Sequence, residues 1–152
     1  MLGTRKQYDQ KVSELVNQYA GKLIKVIRSE EPDVYALGTV EFAPVYDPLL
    51  RKGTIMLECT DGDSYFYHVK ESEVVISGSG TVTLQNDFMP VVPVVITTGE
   101  TAFSWRIGED TYEKSVSAGT WEFPEMELGA GENRLSVKGD GVSTFRYREG
   151  RL

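Results

Sequence analysis

Few side chains in this sequence have the type and spacing that catalysis needs. The chain of 152 residues contains one histidine, His68, and one cysteine, Cys59. A Ser-His-Asp triad would have to use His68, which follows three aromatic residues, and no Gly-x-Ser-x-Gly turn surrounds a serine. We therefore expect a structural role for His68. Cys59 alternates with Leu57 and Ile55, and this spacing predicts a small buried apolar side chain rather than a nucleophile.

Acidic residues are numerous, 23 against 16 lysines and arginines, but their spacing selects no site. Asp61 and Asp63 could contribute to a calcium shell of roughly six to eight oxygens, yet no further ligands are evident, so we expect a solvated turn. Asp140, between two glycines, is interpreted in the same way. The segment 129–131 lacks the lysine or third glycine of a phosphate-binding loop. We expect no metal, no cofactor and no enzymatic activity. A small glycosidase or esterase stays open as a hypothesis, because two acids can come from any two strands.

Aromatic residues leave carbohydrate binding open as an alternative function, because exposed rings can form flat platforms for sugars. The candidates for glycan contact are Trp105, Tyr112 and Trp121. Trp105 alternates in step with Phe103, and Trp121 alternates with Phe123, which is the pattern of side chains that face a core. Tyr112, between two polar neighbours, is the freest of the three.

Charge is unevenly distributed along the chain. Of the net charge of −7, residues 1–62 account for −1 and residues 63–152 for −6. An acidic surface repels phosphate, so non-specific binding to nucleic acid is disfavoured. No apolar run approaches the roughly 20 residues of a membrane span, and the start lacks the apolar core of a signal peptide. We expect two regions, 1–62 and 63–152, in a protein that binds neither nucleic acid nor a membrane and carries no secretion signal.

The first region is predicted to begin with a helix and to continue as strands. Thr4 is a suitable N-cap, apolar residues recur at helical spacing from Tyr8 to Tyr19, and Gly21 supplies a left-handed stop. Beyond Gly21, the sequence predicts strands at 23–27, 35–45 and 54–60, a turn at 29–33, a proline-containing loop from Pro44 to Gly53, and a break at 61–64.

The second region shows no helical pattern. Short runs alternate between apolar and polar residues, with turn signals about every ten residues, which predicts an all-β sandwich. A first run extends from Tyr65 to Ile76. Pro90 and Pro93 flank a run of valines; a proline cannot donate to a ladder, so this run is an edge strand or begins after Pro93. The segment 139–141, Gly-Asp-Gly, predicts a hairpin turn between the last two long strands.

Several stretches have a familiar arrangement when they are taken together. Residues 15–27 (LVNQYAGKLIKVI) and 30–40 (EEPDVYALGTV) give the end of a helix, Gly-Lys, a strand and then Tyr-x-x-Gly-x-Val. Residues 128–137 (LGAGENRLSV) and 139–152 (GDGVSTFRYREGRL) give a Gly-Glu-Asn turn and a strand that ends in Tyr-Arg-Glu-Gly. The run 90–96 (PVVPVVI) lies between the first two stretches and the last two. In order and spacing these stretches resemble the distal tail proteins of siphophages. The resemblance covers residues 5–152 and includes no catalytic motif.

The resemblance implies a structural protein of a phage or prophage tail tip, located in the virion tail or in the host cytoplasm during assembly. Residues 1–62 would form a domain that assembles as a hexameric ring between the tail tube protein and the tail hub or tail-associated protein. Residues 63–152 would form a galectin-like or jelly-roll-like sandwich that carries receptor-binding parts. The expected fold class is therefore mainly β, with a short helix and a few strands before an antiparallel sandwich. Family members usually have further strands before the helix, so an incomplete ring sheet is expected here.

Overall fold

The structure, a computed structural model, describes residues 4–60, 62 and 64–152, so the turn predicted at Asp61 and Asp63 lies outside the described residues. The chain divides into two compact units, Met1–Phe66 and Tyr67–Leu152, a few residues beyond the predicted division. The predicted fold class is confirmed: the described residues form one helix and many strands, and antiparallel sheets make a sandwich. The ring and platform roles of the two regions remain predictions.

Helix α1 (Arg5–Tyr19) begins and ends where the sequence predicts. The Thr4 hydroxyl accepts a hydrogen bond from the backbone N–H of Gln7, and the Gln7 side chain accepts one from the backbone N–H of Thr4, which satisfies two free donors of the first turn. Gly21 follows with a φ of +70°, which favours glycine at a helix end. In the apolar stripe, Tyr8 is buried, and its hydroxyl donates to the carbonyl oxygen of Thr54 over 2.9 Å.

Three antiparallel strands complete the first unit: β1 (Leu23–Arg28), β2 (Glu31–Asp47) and β3 (Lys52–Thr60). Residues 31–39 of β2 pair with β1, and residues 39–47 pair with β3. The predicted turn at 29–33 is too long, because the ladder continues to Arg28 and Glu31 and leaves only two residues to turn. The predicted strand 35–45 and the predicted loop 44–53 overlap at Pro44, and the structure places this residue in β2, so the loop was predicted too long and comprises residues 48–51. A proline is tolerated in a strand if its nitrogen faces away from the neighbouring strand.

Strand β4 (Phe66–His68) leads into the second unit and ends well before Ile76, so the single strand predicted from Tyr65 to Ile76 is interrupted. Two four-stranded antiparallel sheets follow, with the strand orders β10-β7-β12-β5 and β6-β11-β8-β9. Their strands are β5 (Ser72–Ser77), β6 (Gly80–Asn86), β7 (Val94–Thr97), β8 (Thr101–Ile107), β9 (Asp110–Val116), β10 (Gly119–Glu122), β11 (Gly131–Gly139) and β12 (Val142–Tyr147); the short β13 (Gly150–Arg151) lies beside β4.

The core of the second unit lies between these two sheets. Side chains of the predicted alternating runs meet there: the Phe103 ring, from β8, contacts the Phe145 ring, from β12, edge to face with centroids 5.8 Å apart. Leu84 and Val95 are also fully buried. Because each large apolar side chain contributes about 1.5–3 kcal/mol when buried, this cluster accounts for the stability of the sandwich.

The hairpin predicted at Gly139–Gly141 is wrong. Strand β11 pairs with β6 and β8, whereas β12 pairs with β5 and β7, so the segment crosses from one sheet to the other. A Cβ at Gly139 would lie 2.6 Å from the Glu100 carbonyl oxygen, so this crossing needs a glycine for close approach. The segment Gly108-Glu109 does make a two-residue hairpin, between β8 and β9, with a φ of +61° at Gly108.

Strand β7 begins directly after Pro93, as predicted, but it lies in the middle of its sheet between β10 and β12. Pro93, which has no backbone N–H, therefore precedes the ladder, so no hydrogen bond of the ladder is lost. Among the described residues, no helix has the length and apolar character needed to cross a membrane.

Candidate functional site

The β2–β3 ribbon, which comprises residues 39–47 and 52–60 and the connecting loop 48–51, exposes an unusual number of large apolar side chains. The exposed fractions are 93% for Leu49, 67% for Leu50, 63% for Met56, 59% for Val45 and 50% for Leu57. Single exposed apolar residues are common on protein surfaces, but a group of them indicates an interaction site. The ribbon is therefore the candidate functional surface of the first unit.

One face of the ribbon is partly covered by helix α1. The Tyr8 ring packs 5.3 Å from the Tyr46 ring and lies directly over Gly53, where a Cβ would come within 2.0 Å of a Tyr8 ring carbon. The opposite face carries Met56, paired with Ala43. The helix thus anchors the ribbon near Tyr46, and much of the ribbon's apolar surface stays exposed.

The ribbon carries an acidic pair beside its apolar residues, and its basic residues, Arg51 and Lys52, lie at the looped end. Glu41 and Glu58 lie directly opposite each other on the two strands, and neither makes an ion pair with the described residues. Like charges in this position repel, so the pair would be stabilised by a basic group from outside the ribbon.

Strand β1 has the complementary character. Leu23 and Ile27 are exposed on it, and Lys25, on the same face of the strand, provides positive charge between them. The Lys25 ammonium lies 4.6 Å from the centroid of the Tyr35 ring, and Arg28 forms an ion pair with Glu31. The first unit therefore presents one apolar surface with an acidic pair and one apolar surface with a lysine.

Cys59, predicted to be buried, is exposed. It lies opposite Val40 in the ladder, and Val40 is buried while Cys59 is not. Alternation along β3 identifies the residues that share a face, but it does not show whether another element covers that face. The thiol is free, and no group of three or more metal-ligating side chains occurs around it among the described residues.

The contacts of His68 are of the kind that hold the chain in place. Its Nε2 lies 3.0 Å from Oδ2 of Asp87, and its carbonyl oxygen accepts a hydrogen bond of 2.6 Å from Nη1 of Arg148. The same guanidinium also donates to the Val69 carbonyl oxygen and pairs with Glu71. These contacts fix the chain just before the sandwich. Asp140 is exposed in the crossing segment, and no group of three or more metal-ligating side chains occurs among the described residues.

The three aromatic residues considered for glycan contact do not form an open platform. Trp105 is 5% exposed; its indole N–H donates to the Glu125 carbonyl oxygen, and its ring stacks against Tyr112 with centroids 5.7 Å apart. Tyr112 is half-buried by this stack. Trp121 is also half-buried, and its N–H donates to the Ser117 carbonyl oxygen. A glycan role for these residues stays a prediction, and it would have to use the ring edges that remain exposed.

Two polar groups of the sandwich have shifted pKa values with structural causes. Burial, with the nearby Glu149 carboxylate, raises the pKa of Tyr147 to about 12. A hydrogen bond from its own backbone and the ammonium of Lys114 lower the pKa of the Glu125 carboxyl. Tyr147 donates its hydroxyl to the Gln85 carbonyl oxygen, so its proton is held in a structural bond.

Comparisons with known proteins give one match at the level of structure. No model of a protein family and no curated protein matches this sequence. The structure is similar to the crystal structure of the Dit protein (gp 19.1) of SPP1, with a TM-score of 0.62 and 14% sequence identity, over 99% of this chain and 74% of that chain. That protein is described as a paradigm of the hub adsorption apparatus in phages that infect Gram-positive bacteria. At this identity the likeness shows a shared fold.

Proposed function

We propose that this chain is a structural, non-enzymatic component of a phage or prophage tail tip, similar to a distal tail protein. It assembles as a ring and links the tail tube to the hub or to receptor-binding parts. The similarity in fold to SPP1 Dit, which extends over 99% of this chain, supports the assignment to this class of protein. The exposed apolar ribbon carries the argument for assembly.

Assembly through the first unit follows from its two unlike surfaces. The ribbon is apolar with Glu41 and Glu58, whereas β1 is apolar with Lys25. When the ribbon of one copy contacts β1 of the next, apolar area is buried and opposite charges meet. Such a contact joins two different surfaces, so it is repeated head to tail and closes into a ring when the rotation between copies permits.

The partners in this proposal are further copies of the chain, the tail tube protein and the tail hub or tail-associated protein. Nucleic acid and membranes are not among them. The proposed location is the virion tail, with the host cytoplasm as the place of assembly. The six-fold symmetry implied by the sequence resemblance is the form of ring we propose.

Light scattering after size exclusion, over a range of protein concentrations, tests the assembly. We expect a species of six times the chain mass of 17.0 kDa at high concentration. Met56→Glu places a charge on the apolar face of the ribbon and should raise the dissociation constant at least about a hundredfold, since an unpaired buried charge costs several kcal/mol.

Val75→Glu is the matched control, because Val75 is 54% exposed on a strand of the sandwich and lies outside the first unit. It should assemble as the unchanged chain does. A protein that stays monomeric at every concentration, alone and with tail tube and hub proteins added, would contradict the proposal. Equal loss of assembly in both variants would show that the contact between copies does not use the ribbon.

A further inference from the structure

A cleft lined by both polar and apolar residues opens in the outer surface of the sandwich where two strands separate. The ladder between β8 and β11 ends at Trp105 and Leu135. Beyond that pair, β8 continues to Ile107 alongside β9, and β11 extends back to Gly131 alongside β6. A cleft of about 490 Å³ lies there, with the segment 126–128 forming another part of its wall.

The floor of the cleft carries a row of hydroxyl groups. Ser136 of β11 is paired with Thr81 of β6 on one side and with Ser104 of β8 on the other, and all three residues line the cleft. They alternate with the buried Leu135 and Trp105, so their side chains project from the outer face of the sheet. Each hydroxyl can both donate and accept a hydrogen bond.

The charged groups at the cleft are balanced in sign. Arg106 and Arg134 supply donors, and Glu127 and Glu132 supply acceptors. Arg134 pairs with Glu132 at 3.2 Å in an exposed contact, whereas Arg106 and Glu127 form no ion pair with the described residues. With two guanidinium groups and two carboxylates, the lining has no net charge and favours neither an anion nor a cation, so we take its ligand to be uncharged and rich in hydrogen-bonding groups.

One wall of the cleft is apolar. Ile107, beyond the end of the β8–β11 ladder, is 44% exposed and lines the cleft from the gap between the strands. A sugar ring has an apolar face of C–H groups and a rim of hydroxyls that each donate and accept, which matches this wall and floor. A simple apolar ligand would leave the row of hydroxyls and both unpaired charges without partners, at a cost for each group.

We propose that this cleft is a binding site for an uncharged saccharide. The contacts come from Arg106, Ser104, Ser136 and the wall at Ile107. The rings of Trp105 and Tyr112 lie beneath the sheet and provide support rather than a platform. The site belongs to the second unit alone, so it goes beyond the assembly function and does not depend on it.

The test uses the intrinsic fluorescence of Trp105 and saturation-transfer NMR. The chain has two tryptophans, so Trp121→Phe leaves Trp105, which lines the cleft, as a single reporter. Glucose, galactose, N-acetylglucosamine and their disaccharides are titrated at millimolar concentration, together with the charged analogues glucuronate and glucosamine. We expect saturable transfer to at least one uncharged sugar, with a matching change in Trp105 fluorescence.

Arg106→Ala should raise the dissociation constant at least about tenfold, because a hydrogen bond from a charged donor is lost. Arg146→Ala is the matched control: Arg146 is an exposed arginine on the outer face of the other sheet, and its removal should leave binding unchanged. The proposal is overturned if folded protein binds none of the uncharged sugars, if Arg106→Ala binds as well as Arg146→Ala, or if glucuronate or glucosamine binds more tightly than every uncharged sugar.

Discussion

The ribbon of the first unit and the sheets of the second are built from strands with the same kind of sequence, yet they bury their side chains very differently. In β6 the alternate residues Val82 and Leu84 are 6% and 0% exposed, whereas in β3 Leu57 is 50% exposed. The difference is the second layer. A facing sheet covers β6, while the ribbon is covered only in part, around Tyr8 and at Val40. An apolar strand face needs a second layer, and where its own chain does not supply one, another molecule can.

The largest expected contrast comes from removing one apolar side chain from each region. Phe145→Ala, at a fully buried ring, should lower the free energy of unfolding of the sandwich by about 3–5 kcal/mol. Leu49→Ala, at the exposed loop of the ribbon, should change stability by less than about 0.5 kcal/mol in the monomer. Urea unfolding followed by circular dichroism measures both. Tryptophan fluorescence isolates the second unit, because both tryptophans lie in it. Comparable losses in the two variants would contradict the contrast.

The anchor between the helix and the ribbon gives the next largest effect. Gly53→Ala would place a Cβ about 2.0 Å from a Tyr8 ring carbon, so the ring must move and lose its hydrogen bond to Thr54. We expect a loss of about 1–3 kcal/mol in the stability of the first unit. Hydrogen exchange of the α1 amides measures it. Gly129→Ala, with no atom within 4 Å of the added Cβ, is the control and should leave exchange unchanged. Equal protection of the α1 amides from exchange in both variants would show that the Tyr8 ring does not anchor the helix.

Within the sandwich, Tyr147→Phe should cost about 1 kcal/mol, because the hydroxyl donates to the Gln85 carbonyl oxygen over 2.5 Å. The pKa of Tyr147 is raised to about 12 from an ordinary 10.0, so the folded state keeps this proton longer than the unfolded state does. The resulting stabilisation is complete below pH 10 and is lost as the pH rises towards 12. Tyr147→Phe should reduce this loss of stability at alkaline pH. Tyr112→Phe, whose hydroxyl makes no hydrogen bond with the described residues, should preserve it.

The smallest effect is expected at Cys59. Because this side chain is exposed on the ribbon, Cys59→Ser should change the free energy of unfolding by less than about 0.5 kcal/mol. The native monomer should react with a thiol reagent about as fast as the urea-unfolded chain. A thiol that reacts only after unfolding would show that the ribbon is covered within a single chain, which would weaken the contrast between the two regions.

Local patterns predicted the elements of this fold well. The N-cap at Thr4, the end of α1 at Gly21 and the start of β7 after Pro93 were each predicted from a few neighbouring residues, because caps and prolines act within a few bonds. The hairpin predicted at 139–141 failed for the opposite reason. Two glycines around an aspartate indicate a tight change of direction, but the choice between pairing back and crossing to the facing sheet depends on partners more than fifty residues away.

The candidate sites were harder to predict from the sequence than the fold was. Nothing in the spacing of Arg106 and Arg134 along the chain brings them to one cleft; the end of the β8–β11 ladder does that. The sequence predicted that the apolar residues of the ribbon form strands, but it did not predict that their side chains are exposed. The sequence likewise indicated Trp105 and Trp121 as core-facing, and both are at least half-buried.

By itself, the sequence determined the periodicity of this protein: one capped helix, many short alternating strands, an acidic second region and a single histidine and cysteine. These properties depend on local backbone preference and on the alternation of side chains along a strand. The tertiary structure decided which alternating faces are covered, which strands share a sheet and where a ladder ends to open a cleft. Such outcomes depend on packing between distant segments, and the free energy of burial belongs to the pair of surfaces that meet rather than to either segment alone.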